Sequence, residues 1–167
     1  MREKRKIKEK FHTNIKYFFR KEIRMIQGIN SGKCIAYVDG SFNIHTGECG
    51  YGIVLFFDDK TIEFSGSFHD AFHLGRNVHG EILGSMRAVK EAINLGAKEI
   101  NIRYDYTGIE KWVTGEWQTK KSNTQEYRDF MRNAGKDIKI TFTKIKAHSH
   151  NQWNDRADEL AKQAIGV

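Results

Sequence analysis

The chain has 167 residues, of which 39% are hydrophobic, and this suffices for one packed α/β domain but excludes two large ones. No stretch approaches the roughly 18 uncharged apolar residues that a membrane span needs, and the opening MREKRKIKEK lacks the apolar core of a secretory signal. We therefore expect a soluble, cytoplasmic monomer with no membrane partner and no obligate protein partner. The formal net charge of +7 indicates a polyanionic partner.

The excess positive charge lies at the N-terminus. Residues 1–33 contain eleven Lys and Arg against three Asp and Glu, whereas residues 34–167 contain 17 against 18. The two segments therefore carry +8 and −1. We predict a basic extension over residues 1–33 and a near-neutral domain over residues 34–167.

The extension has the pattern of a basic amphipathic helix, because apolar residues recur at spacings of three and four. These residues are Ile7, Phe11, Ile15, Phe18, Phe19, Ile23 and Ile26. Gly28 and the pair Ser31-Gly32 then end the pattern. Three roles remain open for this segment: packing on the domain or partial disorder, an arm that holds nucleic acid, and a membrane-surface or targeting role.

The domain begins with three β-rich runs and continues with alternating helices and strands. The predicted strands span 34–42, 49–57, 61–68, 99–106 and 139–147, and the predicted helices span 79–95, 108–117, 123–134 and 152–165. The first three strands form an antiparallel meander, while strands separated by a helix should pair in parallel through right-handed crossovers. The predicted fold class is therefore α/β, with a mixed five-stranded sheet flanked by helices.

The two cysteines are predicted to be free thiols. A hairpin between the first two strands places Cys34 opposite Phe57 and Cys49 opposite Phe42. The thiols would then lie roughly 20 Å apart, which is beyond disulfide reach.

Four carboxylates stand where the predicted topology brings elements together. Asp39 interrupts an apolar strand, where an unpaired buried carboxylate costs several kcal/mol, and Asp105 ends the strand predicted to lie beside it in parallel. Glu81 and Asp158 lie on the two long helices. Taken singly, Glu81 suits a helix-dipole role, Asp105 a turn, and Asp158 an exposed surface.

Together these carboxylates point to a metal centre. Ligand sites lie at the carboxyl ends of parallel strands, and four carboxylates cannot converge there without cations. Ligation by oxygen alone favours Mg²⁺ or Mn²⁺ over zinc. Paired hard metals about 4 Å apart stabilise both the attacking and the leaving oxygen in phosphoryl displacement. The chemistry indicated is phosphodiester hydrolysis.

Four ordered motifs resemble type 1 ribonuclease H, and most closely a bacterial branch of that family. They are AYVDGSFN at 36–43, HGEILG at 79–84, YDYTGIEKWVTGEW at 104–117 and KAHSHNQWNDRADELAKQA at 146–164. The resemblance covers residues 34–166 and implies the ribonuclease H-like fold. Members of this branch often carry an N-terminal hybrid-binding module, which residues 1–33 do not resemble.

The resemblance implies an endoribonuclease that cuts the RNA strand of RNA-DNA hybrids with two Mg²⁺ ions, or Mn²⁺ as a substitute, and leaves 3′-hydroxyl and 5′-phosphate ends. Asp39 would bridge the two ions, Glu81 and Asp105 would hold one, and Asp158 would hold the other. Asp155 competes for the last position, but the spacing Asn-x-x-x-Asp favours Asp158.

The resemblance also implies a proton-transfer or product-release role for a loop histidine, which matches His148. His150 stands where the family commonly has a glycine, so which histidine acts stays open.

Substrate contacts are implied at residues close to the first and second motifs. Asn77 matches a family asparagine that contacts the minor groove of the hybrid, where the 2′-OH distinguishes RNA from DNA. Ser41 and Asn43 are candidates for similar contacts, and Gly40 permits close backbone approach to metal and phosphate. Each also suits a turn or strand end.

Trp112 and Trp117 are predicted to pack rather than to stack on nucleic acid. The segment 117–137 is short and only mildly basic, whereas many members have a long basic helix and handle there. The N-terminal extension is a candidate to replace those phosphate contacts.

Two alternatives have different signatures. A nuclease or strand-transfer domain of the same fold, such as an integrase-like or 3′-exonuclease domain, lacks the combination of DGS, GE and a histidine loop. A hybrid-binding module without catalysis would have lost a carboxylate, and all four are present.

Removing residues 1–30 should weaken binding of an RNA-DNA hybrid and flatten its salt dependence, because phosphate contacts made by Lys and Arg release counterions. Metal-dependent chemistry should survive. The test is the hybrid Kd of the full and shortened chains across a salt series. An unchanged slope would show that the extension makes no phosphate contacts.

Overall fold

Five strands form one mixed sheet in this computed structural model, which describes residues 32–69, 75–146 and 151–167. The strands are β1 (Lys33–Asn43), β2 (Glu48–Phe57), β3 (Lys60–His69), β4 (Glu99–Tyr104) and β5 (Lys139–Lys144), arranged in the order β3-β2-β1-β4-β5. The first three strands pair antiparallel, and β4 and β5 continue the sheet in parallel from β1. The predicted sheet is confirmed. The predicted helix within residues 1–33 lies almost wholly outside the described residues.

Four helices are present in the described residues: α1 (Asn77–Asn94), α2 (Gly108–Thr114), α3 (Ser122–Ala134) and α4 (Gln152–Ala164). Two boundaries differ from the sequence prediction by several residues. Helix α2 stops at Thr114 rather than at residue 117, because Gly115 takes a left-handed φ of 88° and ends the helix. Strand β5 ends at Lys144 rather than at residue 147. None of the helices in the described ranges has the length and apolarity to cross a bilayer.

The sheet separates two packing layers, because successive strand residues face opposite sides. On one side, alternate residues of β1 and β2 join α1, α2 and α3 in the main core, whose members include Ala36, Val38, Ile53, Leu55, Ile82, Val89, Ile109 and Tyr127. On the other side, α4 packs across β1, β2 and β3. Helices α1 and α4 therefore approach the centre of the sheet from opposite faces.

The hairpin register confirms the predicted position of both cysteines. Cys34 is paired with Phe57 and Cys49 with Phe42, at opposite ends of β1 and β2. Both thiols are buried and reduced. Burial raises the pKa of Cys34 to about 12, so this thiol stays protonated and unreactive at neutral pH.

Glycines in β2 allow α4 to lie directly against the sheet. A Cβ on Gly52 would lie 2.0 Å from the carbonyl oxygen of Ala157, and one on Gly50 would lie 2.1 Å from that of Ala161. Both distances are too short for any side chain, so only glycine at these positions lets the backbone of α4 contact the backbone of β2. The position of α4 beside β1 follows from this approach.

Substituting Gly52→Ala should therefore destabilise the domain by at least about 2 kcal/mol, because the new methyl group pushes α4 off the sheet. Urea denaturation measures the change. Gly84→Ala is the matched control, since its Cβ would meet side-chain atoms no closer than 3.3 Å and helical Gly→Ala is intrinsically favourable. Equal losses in both variants would contradict the assigned role of Gly52.

Candidate metal centre

The register of two parallel strands brings Asp39 and Asp105 to the same level. Tyr37 of β1 is paired with Arg103 of β4, and each aspartate follows its paired residue by two positions. Both therefore lie at the carboxyl end of the parallel pair, on the same side of the sheet. The predicted adjacency of the strands that carry these aspartates is confirmed.

Glu81 reaches this position because α1 begins directly against β1. A Cβ on Gly40 would lie 2.1 Å from the carbonyl oxygen of Asn77 and 2.6 Å from the amide nitrogen of Glu81. Gly80 makes an equally close approach, since its Cβ would lie 2.3 Å from the carbonyl oxygen of Gly50. The space beside Gly40 is thus filled by the first turn of α1, so this glycine places Glu81 next to the strand.

Three carboxylates converge as a result. One oxygen from each of Asp39, Glu81 and Asp105 lies within 4.8 Å of the other two. Glu81 is only 3% exposed, and Asp39 is half-buried. Three anionic groups thus share a small volume with limited access to water.

Burial and mutual repulsion raise the pKa of Asp39 and of Glu81. The pKa of Asp39 rises to about 7, first through burial and then through the charge of Asp105, while a hydrogen bond from the Gly40 amide, 2.7 Å away, opposes the rise. Burial also raises the pKa of Glu81 well above its ordinary value, with further contributions from Asp105 and Asp39. The site is therefore short of positive charge.

The residues fit a hard divalent cation. Within the described ranges, Oε2 of Glu81 is buried and has no hydrogen-bond partner. A buried carboxylate oxygen without a partner is costly, and a bound cation would remove that cost. Carboxylate oxygens are the ligands that Mg²⁺ and Mn²⁺ prefer.

Asp158 is positioned differently from the other three acids. It lies on α4 and is not one of the three acids whose oxygens converge within 4.8 Å. Its Oδ2 accepts a hydrogen bond from Lys162 Nζ at 2.6 Å. Its charge nevertheless contributes to the raised pKa of Asp39, which places it close to that acid. Asp155 is exposed in the first turn of α4. Asn154, also on α4, donates to Oδ2 of Asp39 at 3.4 Å.

The other predicted residues have varied surroundings. Ser41 is buried near the end of β1, and Asn77 is the first residue of α1. Oδ1 of Asn43 accepts hydrogen bonds from the backbone amides of His45 and Thr46, so this side chain closes the β1-β2 turn. His148 and His150 lie outside the described residues.

A cavity of about 320 Å³, lined by residues of α1, α2 and α3, was not predicted from the sequence. Its lining includes Ile82 and Tyr106, the chain neighbours of Glu81 and Asp105, together with Trp112, Lys121 and Asn123. The sequence signal is the clustering of two Trp and two Lys over 112–121, a composition typical of surfaces that hold nucleic-acid strands. Trp112 was predicted to pack, and it does so against Tyr106 at a centroid distance of 5.7 Å while also lining the cavity.

Comparisons with known proteins agree with this geometry. The sequence matches the family model described as RNase H over residues 31–166. It is 30% identical over 140 residues to the ribonuclease H of Prosthecochloris aestuarii, covering 80% of this chain and 95% of that protein.

Solved structures of the same fold include the RNase H1 of the archaeon Halobacterium salinarum, with a TM-score of 0.68, 25% identity, and coverage of 80% of this chain and 98% of that one. A second similar structure is that of LC11-RNase H1 in complex with RNA/DNA hybrid, with a TM-score of 0.63 and 18% identity. The match covers 79% of this chain and 99% of that one, and it supports the fold.

The raised pKa of Asp39 predicts a pH-dependent stability when no divalent cation is added. From about pH 4 to about pH 7 the unfolded chain releases this proton while the folded chain keeps it. The contribution of Asp39 to the free energy of unfolding should therefore fall as pH rises, by at most about 1.4 kcal/mol per pH unit, and level off above pH 7. The raised pKa of Glu81 adds a separate fall.

Urea denaturation from pH 4 to pH 8 tests this prediction. Asp39→Asn should remove this part of the fall, whereas Asp59→Asn, in the exposed β2-β3 turn, should keep it. Equal pH profiles for wild type and Asp39→Asn would contradict the assigned environment of Asp39.

Proposed function

Because the chain belongs to the type 1 ribonuclease H family of nucleases, we propose that it is a metal-dependent endoribonuclease that hydrolyses the RNA strand of RNA-DNA hybrids. The products are 3′-hydroxyl and 5′-phosphate ends. The observation that carries this proposal is the convergence of Asp39, Glu81 and Asp105 within 4.8 Å at the carboxyl ends of β1 and β4.

Two Mg²⁺ ions are the proposed cofactors, with Mn²⁺ as a substitute. Asp39 would contribute to both ions, Glu81 and Asp105 would complete the position of one, and Asp158 would serve the other. When bound, such ions stabilise the attacking and leaving oxygens of a phosphodiester during hydrolysis. Two aspects of the structure support this assignment: the ligands are oxygen atoms only, and Glu81 Oε2 lacks a partner in the described residues.

The protein's own groups orient the central acid. The Gly40 amide donates to Oδ1 of Asp39, and the Asn154 side chain donates to Oδ2. One contact comes from β1 and the other from α4, and together they hold the Asp39 carboxylate in one orientation. Since burial makes Asp39 and Glu81 hold protons more tightly than usual, cation binding should release protons. His148 is proposed to move a proton or to assist product release.

The hybrid is proposed to cross the carboxylates with its RNA strand close to Ser41, Asn43 and Asn77. Polar groups there would read the 2′-OH of successive ribonucleotides. The cavity among α1, α2 and α3, with Trp112 and Lys121 in its lining, has the aromatic and cationic character that suits a nucleic-acid strand. The basic extension of residues 1–33 would add phosphate contacts outside the catalytic domain.

Asp39→Asn should lower Mg²⁺-dependent cleavage of a hybrid by about a thousandfold or more, because it removes the carboxylate that would hold both cations. Hybrid binding should survive, since the substitution removes negative charge. The measurement is cleavage of a body-labelled hybrid beside a binding assay. Asp155→Asn, in the exposed first turn of α4, is the matched control and should cleave like wild type.

The same assay separates the alternatives when RNA duplex, DNA duplex and single strands are offered in parallel. Internal cuts confined to the RNA of the hybrid support the proposal. Terminal trimming would identify an exonuclease, and binding without cuts would identify a hybrid-binding module. Retained Mg²⁺-dependent cleavage by Asp39→Asn would refute the assignment of the site.

A further inference from the structure

Helix α4 presents three polar residues toward the carboxylates at intervals of one turn. Asn154, Asp158 and Lys162 are spaced by four residues and therefore lie along one face of the helix. Gly52 of β2 allows this helix to approach the sheet to backbone contact. The backbone positions of the three residues are thus fixed relative to β1.

Lys162 directs its ammonium group to this site. Its Nζ lies 2.6 Å from Oδ2 of Asp158, and its positive charge also counteracts the rise in the pKa of Asp39. Arg156, by contrast, is held on β3 by a two-pronged contact with Glu63 and on its own helix by Glu159. Lys162 is therefore a resident cation shared by two of the acids assigned to metal binding.

The pair has the properties of an exchangeable contact rather than a fixed one. The side chains of Lys162 and Asp158 are 50% and 35% exposed, so water can replace either partner. Exposed ion pairs one helical turn apart contribute little to stability. The long lysine stem can swing into solvent without moving α4, which is anchored by the Arg156 contacts to β3.

An ammonium group and a divalent cation require the same feature of Asp158, an unshared electron pair on a carboxylate oxygen. Asn154, one turn before Asp158, offers a further oxygen to a cation bound there. Asn154 is only 8% exposed, and its Oδ1 has no hydrogen-bond partner within the described part of the chain. A cation in contact with Asp158 must therefore either displace Lys162 from Oδ2 or bind the other oxygen beside the lysine's positive charge, and Lys162 opposes its binding in both cases.

We propose that Lys162 is an intramolecular competitor that sets the affinity of the cation position served by Asp158. This inference rests on the proposed metal-dependent function. The ion held by Asp39, Glu81 and Asp105 binds first, and the ion served by Asp158 binds at higher concentration because it must compete with the positive charge of the lysine. Lys162 is thus a positioning residue that separates the two binding steps.

Mn²⁺ titration of the full chain, followed by electron paramagnetic resonance of the free ion, tests this inference. Wild type should show a tighter and a weaker binding step. Lys162→Met removes the charge but keeps a long apolar stem, and it should tighten the weaker step by about twofold, the fold-change expected for an exposed ion pair one helical turn apart. Lys162→Gln should act in the same direction, and Lys162→Arg should bind like wild type.

Two further variants make the result specific. Lys136→Met changes the net charge equally at an exposed lysine near the end of α3, and it should leave both steps unchanged. In an Asp158→Asn background, Lys162→Met should no longer tighten the weaker step, because the competing pair is already absent. Thermal unfolding of each variant confirms that it is folded.

The outcomes separate this inference from the proposed function. The competitor role is supported if Lys162→Met tightens the weaker Mn²⁺ binding step only when Asp158 is present. Two binding steps in wild type with no tightening in Lys162→Met would overturn the inference and leave the metal site intact. A wild-type chain that binds no Mn²⁺ at millimolar concentration would overturn the proposed function and the inference together.

Discussion

Electrostatic repulsion among three carboxylates is the constraint on which the site depends. Asp39, Glu81 and Asp105 are held within 4.8 Å, and the least exposed of them has an oxygen without a hydrogen-bond partner in the described residues. Such an arrangement is costly unless a proton or a cation compensates it. The fold imposes it nonetheless, since the parallel register of β1 and β4 fixes two of the acids and the start of α1 fixes the third. A site that destabilises its own protein in this way is typical of function rather than of folding.

Glycine makes the convergence sterically possible. Gly40 and Gly80 let α1 begin against β1, and Gly52 lets α4 lie against β2. These contacts bring Glu81 from one face of the sheet, and Asn154 with Asp158 from the other, to the end of the same strand. Lys162 lies beside Asp158 because the two residues are one turn apart on α4, so the helix that brings Asp158 to the strand also brings a competing cation.

Much of this arrangement follows from sequence pattern. Strand order, the parallel pairing of β1 with β4 and the cysteine positions could be predicted because each depends on local periodicity and on simple topological rules. The end of α2 was missed by about three residues because a single left-handed glycine ended the helix, and β5 also ended about three residues early. The steric role of Gly40 could not be predicted, because it depends on a helix distant in sequence. The Asp158-Lys162 pair looks like an ordinary surface contact in sequence, and its significance depends on which side of α4 meets Asp39.

Anomalous diffraction from a crystal of the protein grown with Mn²⁺ would test the metal centre most directly. We expect a strong peak at about 2.0–2.2 Å from an oxygen of each of Asp39, Glu81 and Asp105, with a second peak close to Asp39 and Asp158 and with Lys162 displaced from Asp158. A map with no anomalous density among the three carboxylates, at a Mn²⁺ concentration that supports cleavage, would contradict the assignment of these residues as the metal centre.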